Sequence, residues 1–169
     1  MNPWKNKNWM IFYSSVMLQR SGLRLHFCGE YCKILKLFLL DFGKWLRQEY
    51  EFPIRVNVYF KSQPYIKAFD GDQVSATFWG SFDRKREPYI KIAVGDFYAL
   101  VEKSNVFSAL CNTAASLAHE LTHYYQWIND FQLSEIQEER QSRYYSKKIV
   151  YRYLEERGYS FLELHGILT

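Results

Sequence analysis

The residues best suited to chemistry are His119-Glu120-Leu121-Thr122-His123. In an α-helix, positions i and i+4 lie on one face, so this spacing turns both imidazoles toward a single point. Neutral imidazole nitrogens there are ligands for zinc. Zinc binds nitrogen at about 2.0–2.1 Å and, in catalytic sites, takes three protein ligands while one position stays open to water. Glu120 follows the first histidine and flanks the same point, where a general base toward a metal-activated water belongs. The pattern therefore requires a third protein ligand from elsewhere in the chain.

Glu135, Glu138 and Glu139 are the candidates. They begin a helical pattern that opens with Ser134-x-x-Gln137, the form of a capping box. Carboxylates are favoured in the first helical turn whatever their role, so residue type does not choose among them. Helical phase does. Glu139 falls in line with Ser142, Ser146, Ile149 and Tyr153, a small-then-apolar side suited to packing on the motif helix, whereas Glu138 is rotated by about 100°. Glu139 is the predicted third ligand and Glu138 its rival. Asp130 lies seven residues beyond His123, about 10 Å along a continuing helix, and is read as a helix-end residue. Tyr144, Tyr145 and His165 are candidate donors to an oxyanion, with packing as the alternative role for each.

The surrounding elements follow from periodicity. Apolar residues Leu110, Ala114, Leu117, Leu121 and Tyr124 recur at i+3 and i+4, which places a motif helix at about residues 107–127. A C-terminal helix runs from Ser134 to about Glu156, ahead of Gly158. Upstream, residues 30–50 form an amphipathic helix, residues 53–61 alternate as a strand, and residues 74–82 and 89–94 form a β-hairpin around the charged tip 83–88. The hairpin strand containing Phe78, Trp79 and Gly80 offers a backbone edge on which an extended peptide could lie as an added strand, and these three are the predicted substrate-binding residues. Gly80 marks either a bulge or close approach of that chain. Arg84, Lys85 and Arg86 at the tip read as a solvated turn.

His119-Glu120-x-x-His123, followed on the next helix by Glu139-x-x-Ser142-x-x-x-Ser146, resembles the gluzincin branch of the zinc metallopeptidases. It is similar in particular to the compact single-domain zincins of mobile elements that cleave repressors. The resemblance spans roughly residues 30–157, with Ser142 and Ser146 in place of the usual alanines. It implies an α+β fold, a minimal zincin-like domain: an N-terminal helix, a three-stranded largely antiparallel sheet, the active-site helix and the ligand helix. It also implies a zinc-dependent peptidase acting on a peptide or protein, with Zn2+ on His119, His123 and Glu139. The competing expectation is a noncatalytic zinc-binding regulatory module that keeps the metal without turnover.

At 169 residues, the chain suits one domain, read as residues 30–169 after an N-terminal extension, residues 1–29. A formal charge of +4 is too small to mark a dedicated nucleic-acid binder, so no specific nucleic-acid partner is expected. Three cysteines, an odd number, argue against a disulfide framework and for the cytoplasm. The apolar run from Trp9 to Leu18 is too short to span a bilayer, and no small-x-small cleavage site follows it.

Overall fold

The computed structural model describes residues 1–13 and 20–168. In chain order the elements are α1 (Trp9–Phe12), β1 (Leu23–Cys28), α2 (Lys33–Glu49), β2 (Val56–Lys61), β3 (Ile66–Lys67), β4 (Gln73–Val74), β5 (Ala76–Trp79) and β6 (Tyr89–Ala93). They are followed by α3 (Phe97–Lys103), α4 (Val106–Ile128), α5 (Glu135–Tyr153), a π-helical segment (Leu154–Gly158) and α6 (Tyr159–Leu164).

A four-stranded sheet in the order β1-β2-β6-β5 forms the base of the fold, and β3 with β4 makes a small separate ribbon. Strands β1, β2 and β6 are mutually parallel, and only β5 runs antiparallel, at the edge. This corrects the expected three-stranded, largely antiparallel sheet. The hairpin is present, with Ala76 opposite Ile92 and Trp79 opposite Tyr89. The added strand is β1, within the segment read from sequence as an extension. Its link to β2 runs through α2, and a helical crossover delivers the next strand parallel rather than antiparallel.

Alternation explains how the sheet meets the helices. Val56, Val58 and Phe60 of β2 and Ile90 and Ile92 of β6 are almost wholly buried. Against them lie α2, through Phe38, Leu39, Phe42 and Leu46, and α4, through Leu110, Leu117 and Leu121. Burial of such side chains contributes on the order of 1.5–3 kcal/mol each before entropy is counted. Two buried tyrosines fix α4 against the start of β2. Tyr124 donates its hydroxyl to the Ile54 carbonyl at 2.6 Å and accepts from the Ile54 N–H at 3.2 Å, while Tyr125 donates to the Glu51 carbonyl at 2.8 Å.

The start of the chain is tied to the same helix. Trp4 is 4% exposed, and its indole N–H donates to the Thr122 hydroxyl at 2.9 Å. The Trp9 backbone N–H donates to the Asn129 side-chain carbonyl at 3.1 Å. Residues 14–18 of the apolar run lie outside the described residues. No helix among those described is long and apolar enough to cross a membrane.

Helix ends match their local chemistry. Asn105 caps α4 by accepting from the Ser108 N–H, and the Ser134–Gln137 capping box closes in both directions at the start of α5. Asp130, at φ 53°, makes the left-handed turn between α4 and α5. At the other end, Gly158 does not stop the helix as expected. A Cβ there would lie 2.8 Å from the Tyr153 ring, so the glycine admits a π-turn and the chain continues helically into α6.

Because Trp4 is packed on α4, Trp4→Ala is expected to destabilise the protein by about 3–5 kcal/mol, the range for a buried tryptophan. Urea unfolding followed by circular dichroism measures this, and an unchanged midpoint would show that residues 1–13 are not part of the core.

Candidate metal centre

Helix α4 displays His119 and His123 on one side, and α5 crosses it so that Glu139 closes the group. Nε2 of His119 and Nε2 of His123 are 3.3 Å apart, and Glu139 lies 3.1 Å from His123 through Oε1 and 3.5 Å from His119 through Oε2. Among the described residues these three lie close enough together to hold a metal ion. A tetrahedral ion with ligand bonds of about 2.0–2.1 Å has ligand-to-ligand edges of roughly 3.3–3.4 Å. The Nε2–Nε2 distance matches such an edge, and Glu139 presents one carboxylate oxygen to each imidazole.

Hydrogen bonding around His123 sharpens the fit. Gln126 is 3% exposed, and its amide N–H2 donates to the Glu138 carbonyl at 3.1 Å and to the Gln141 Oε1 at 2.9 Å. Its own Oε1 therefore faces Nδ1 of His123, at 2.9 Å, and accepts a hydrogen bond from the Nδ1–H. That tautomer leaves the lone pair of Nε2 pointing at His119 and Glu139. Burial is the main cause holding the His119 imidazole below its ordinary pKa, assisted by the charges of His123 and Arg143 and opposed by Glu139. A neutral imidazole is the ligand-competent form.

The approach of α5 depends on small residues. Ser142 is fully buried and Ser146 is 6% exposed, on the line that also carries buried Ile149 and Tyr153. Glu139 shares that line and reaches the histidines, as helical phase predicted. Glu138 lines the same cleft but stays outside the cluster, and its carbonyl is taken by Gln126.

Glu120 sits one residue from the first histidine and is 7% exposed. Burial, with the nearby Glu139 charge, pushes its carboxyl up to about 8, while a hydrogen bond from the Phe78 backbone works in the opposite direction. It projects into a cleft of about 980 Å³ that also takes in His119, His123, Glu139, Thr77 and Phe78. In metal-free protein this burial favours the neutral acid of Glu120, which lies next to the cluster and outside it.

The remaining sequence-predicted residues fall on different sides of β5. Phe78 lines the cleft, whereas Trp79 stacks on Tyr89 at 5.2 Å on the opposite face of the sheet. Gly80 is explained by its neighbour. A Cβ there would lie 2.7 Å from Nε1 of Trp127, whose N–H donates to the Ser81 carbonyl at 3.0 Å. Arg84 is not free in a solvated turn: its guanidinium lies 4.5 Å above the Trp127 ring and pairs with Asp130 at 3.2 Å, walling one end of the cleft. Tyr144, Tyr145 and His165 are not among the cleft's lining residues. Gln126 was missed by sequence reading. Its position three residues after His123, on the same helical side, is the signal that was available.

Neither a protein-family model, nor a curated protein, nor a solved structure matches this chain.

Two outcomes follow from the geometry. Glu139→Ala is expected to abolish stoichiometric metal binding measured by isothermal titration, Glu138→Ala to preserve it, and Gln126→Ala to weaken it about 10- to 100-fold. A reversed order for the two glutamates would exclude the cluster as described. In metal-free protein, a Glu120 pKa raised from 4.5 to about 8 makes the folded state favour the neutral acid. The associated stability is present below pH 4.5, falls as pH rises, and is lost above about 8. Urea midpoints of the Glu120→Gln variant relative to wild type are thus expected to improve from pH 5 to pH 8.5, and a constant difference would contradict the burial.

Proposed function

We propose that this chain is a zinc-dependent peptidase of the gluzincin type, with His119, His123 and Glu139 as ligands and Glu120 as general base. Glu120 carries the reading. An ion needs only the three-residue cluster to be held, and a buried second carboxyl facing the same cleft has no role in holding it. The His2Glu donor set suits zinc among the common divalent ions. Bound zinc would supply Lewis acidity that polarises a carbonyl oxygen and acidifies water.

The chain's own groups account for the rest of the reaction. Glu120 accepts a proton from the water whose oxygen attacks the peptide carbonyl carbon, and it passes that proton to the amine nitrogen as the C–N bond breaks. The Phe78 backbone orients the carboxylate for both transfers. Strand β5 is antiparallel to its neighbour and stands at the sheet edge beside the cleft, so an extended peptide can pair with it as a further strand. Gln126 holds His123 in the ligating tautomer. An edge strand, a helix bearing the histidines and a second helix bearing the glutamate support the resemblance to minimal zincins, although the sheet is mostly parallel. All three cysteines are free, which supports a reducing, cytoplasmic setting.

Cleavage of a fluorescence-quenched peptide library by zinc-loaded protein tests the reading. Glu120→Gln is expected to lower turnover by about 10²- to 10⁴-fold while retaining one metal per chain. Equal cleavage by the variant would remove Glu120 from the mechanism. A wild-type protein that binds zinc and cleaves nothing in the library would favour the noncatalytic zinc module instead.

A further inference from the structure

The face of the sheet turned away from α2 and α4 has its own chemistry. Strand alternation sends Val58, Phe60 and Ile90 into the core, and it sends His26, Tyr59, Lys61, Tyr89, Lys91 and Trp79 to the opposite side, where each is partly or fully exposed. Register brings these residues together: His26 lies opposite Tyr59, Tyr59 opposite Lys91, and Tyr89 opposite Trp79.

The rings form two flat stacks. His26 and Tyr59 are 4.7 Å apart at 16°, and Trp79 and Tyr89 are 5.2 Å apart at 18°. Lys61 places its ammonium 5.5 Å from the Tyr59 ring, and Lys91 places its own 5.3 Å from the Tyr89 ring. Among the described residues neither lysine has a carboxylate partner, nor does Arg24 on the same face of β1. Glu87, which reaches Asn57 on this face, is paired with Arg20 at 2.8 Å and accepts from Asn57 at 3.0 Å. Trp79 is on the edge strand, with one side of its ring on Tyr89 and 36% of the residue open to solvent.

We infer that this outer face binds single-stranded nucleic acid without regard to sequence. Stacked rings accept unpaired bases through their faces, and unpaired lysines beside them accept the phosphates. An acidic polypeptide would satisfy Lys61, Lys91 and Arg24 and leave the rings idle. A duplex offers phosphates with its bases already stacked on each other. The modest overall charge is no obstacle, because the cations concerned are unneutralised on one face. The site is separate from the metal centre, on the other side of the sheet, and does not depend on peptidase activity.

Fluorescence anisotropy of a labelled dT15 oligonucleotide, titrated with the full chain, tests the inference. Binding is expected at 50 mM salt and is expected to weaken at least fivefold at 200 mM. The Lys61→Ala/Lys91→Ala double variant is expected to bind at least tenfold more weakly, and Trp79→Ala likewise. Lys147→Ala/Lys148→Ala, on the exposed side of α5, and Glu120→Gln are each expected to stay within twofold of wild type. The inference is overturned by no binding at 50 mM salt, by loss in the α5 or Glu120 variants without loss in the sheet variants, by equal affinity for blunt duplex, or by binding to phosphatidylserine vesicles with none to dT15.

Discussion

Two imidazole nitrogens 3.3 Å apart, with one oxygen of Glu139 at 3.1 Å from the first and the other oxygen at 3.5 Å from the second, set the terms for the rest of the molecule. Two imidazole lone pairs and a carboxylate facing one another repel unless a cation or a shared proton sits among them. Gln126 enforces this arrangement by fixing the His123 tautomer, and it is itself fixed by two acceptors, the Glu138 carbonyl and Gln141 Oε1, to which its buried amide N–H2 donates. The close seating of α5 on α4 at Ser142 and Ser146 brings the carboxylate to the imidazoles. The anchoring of α4 is equally specific. Thr122, between the two histidines, turns inward, accepts from Trp4 and donates to the Ala118 carbonyl, while Tyr124 grips the start of β2.

This division of one helix into a core side and a site side explains the electrostatics of Glu120. The residue is placed where burial disfavours its charge, beside a cluster able to hold a cation whose presence would favour it. Such opposed influences leave a carboxyl able to take up and release a proton near neutral pH. The cleft in front of it is bounded by the edge strand on one side and by the stacked Arg84, Trp127 and Asp130 on the other.

What could be read from the sequence was what is local. The i, i+4 histidines, the Ser134–Gln137 capping box, the phase of Glu139 and the hairpin pairing of Ala76–Trp79 with Tyr89–Ala93 each depend on residues near one another in the chain. Strand β1 was missed although Leu23, Leu25 and Phe27 alternate, because its partner is parallel and reached only through α2, so no turn signal marks the pairing. Gly158 read as a stop, since a glycine after a helical run most often ends it, and the Tyr153 ring that demands its missing Cβ is visible only in three dimensions. The same holds for Gly80, whose constraint comes from Trp127, 47 positions further on. Gln126 carries no type-based signal at all, since its role arises from being buried beside His123.

The most direct measurement of the central claim is the coordination shell itself, from X-ray absorption and anomalous diffraction on zinc-loaded protein. The account predicts one ion per chain, two histidine nitrogens and a Glu139 oxygen at about 2.0–2.1 Å. An ion bound elsewhere, or a shell that includes Glu138 or Glu120 in place of Glu139, would contradict it.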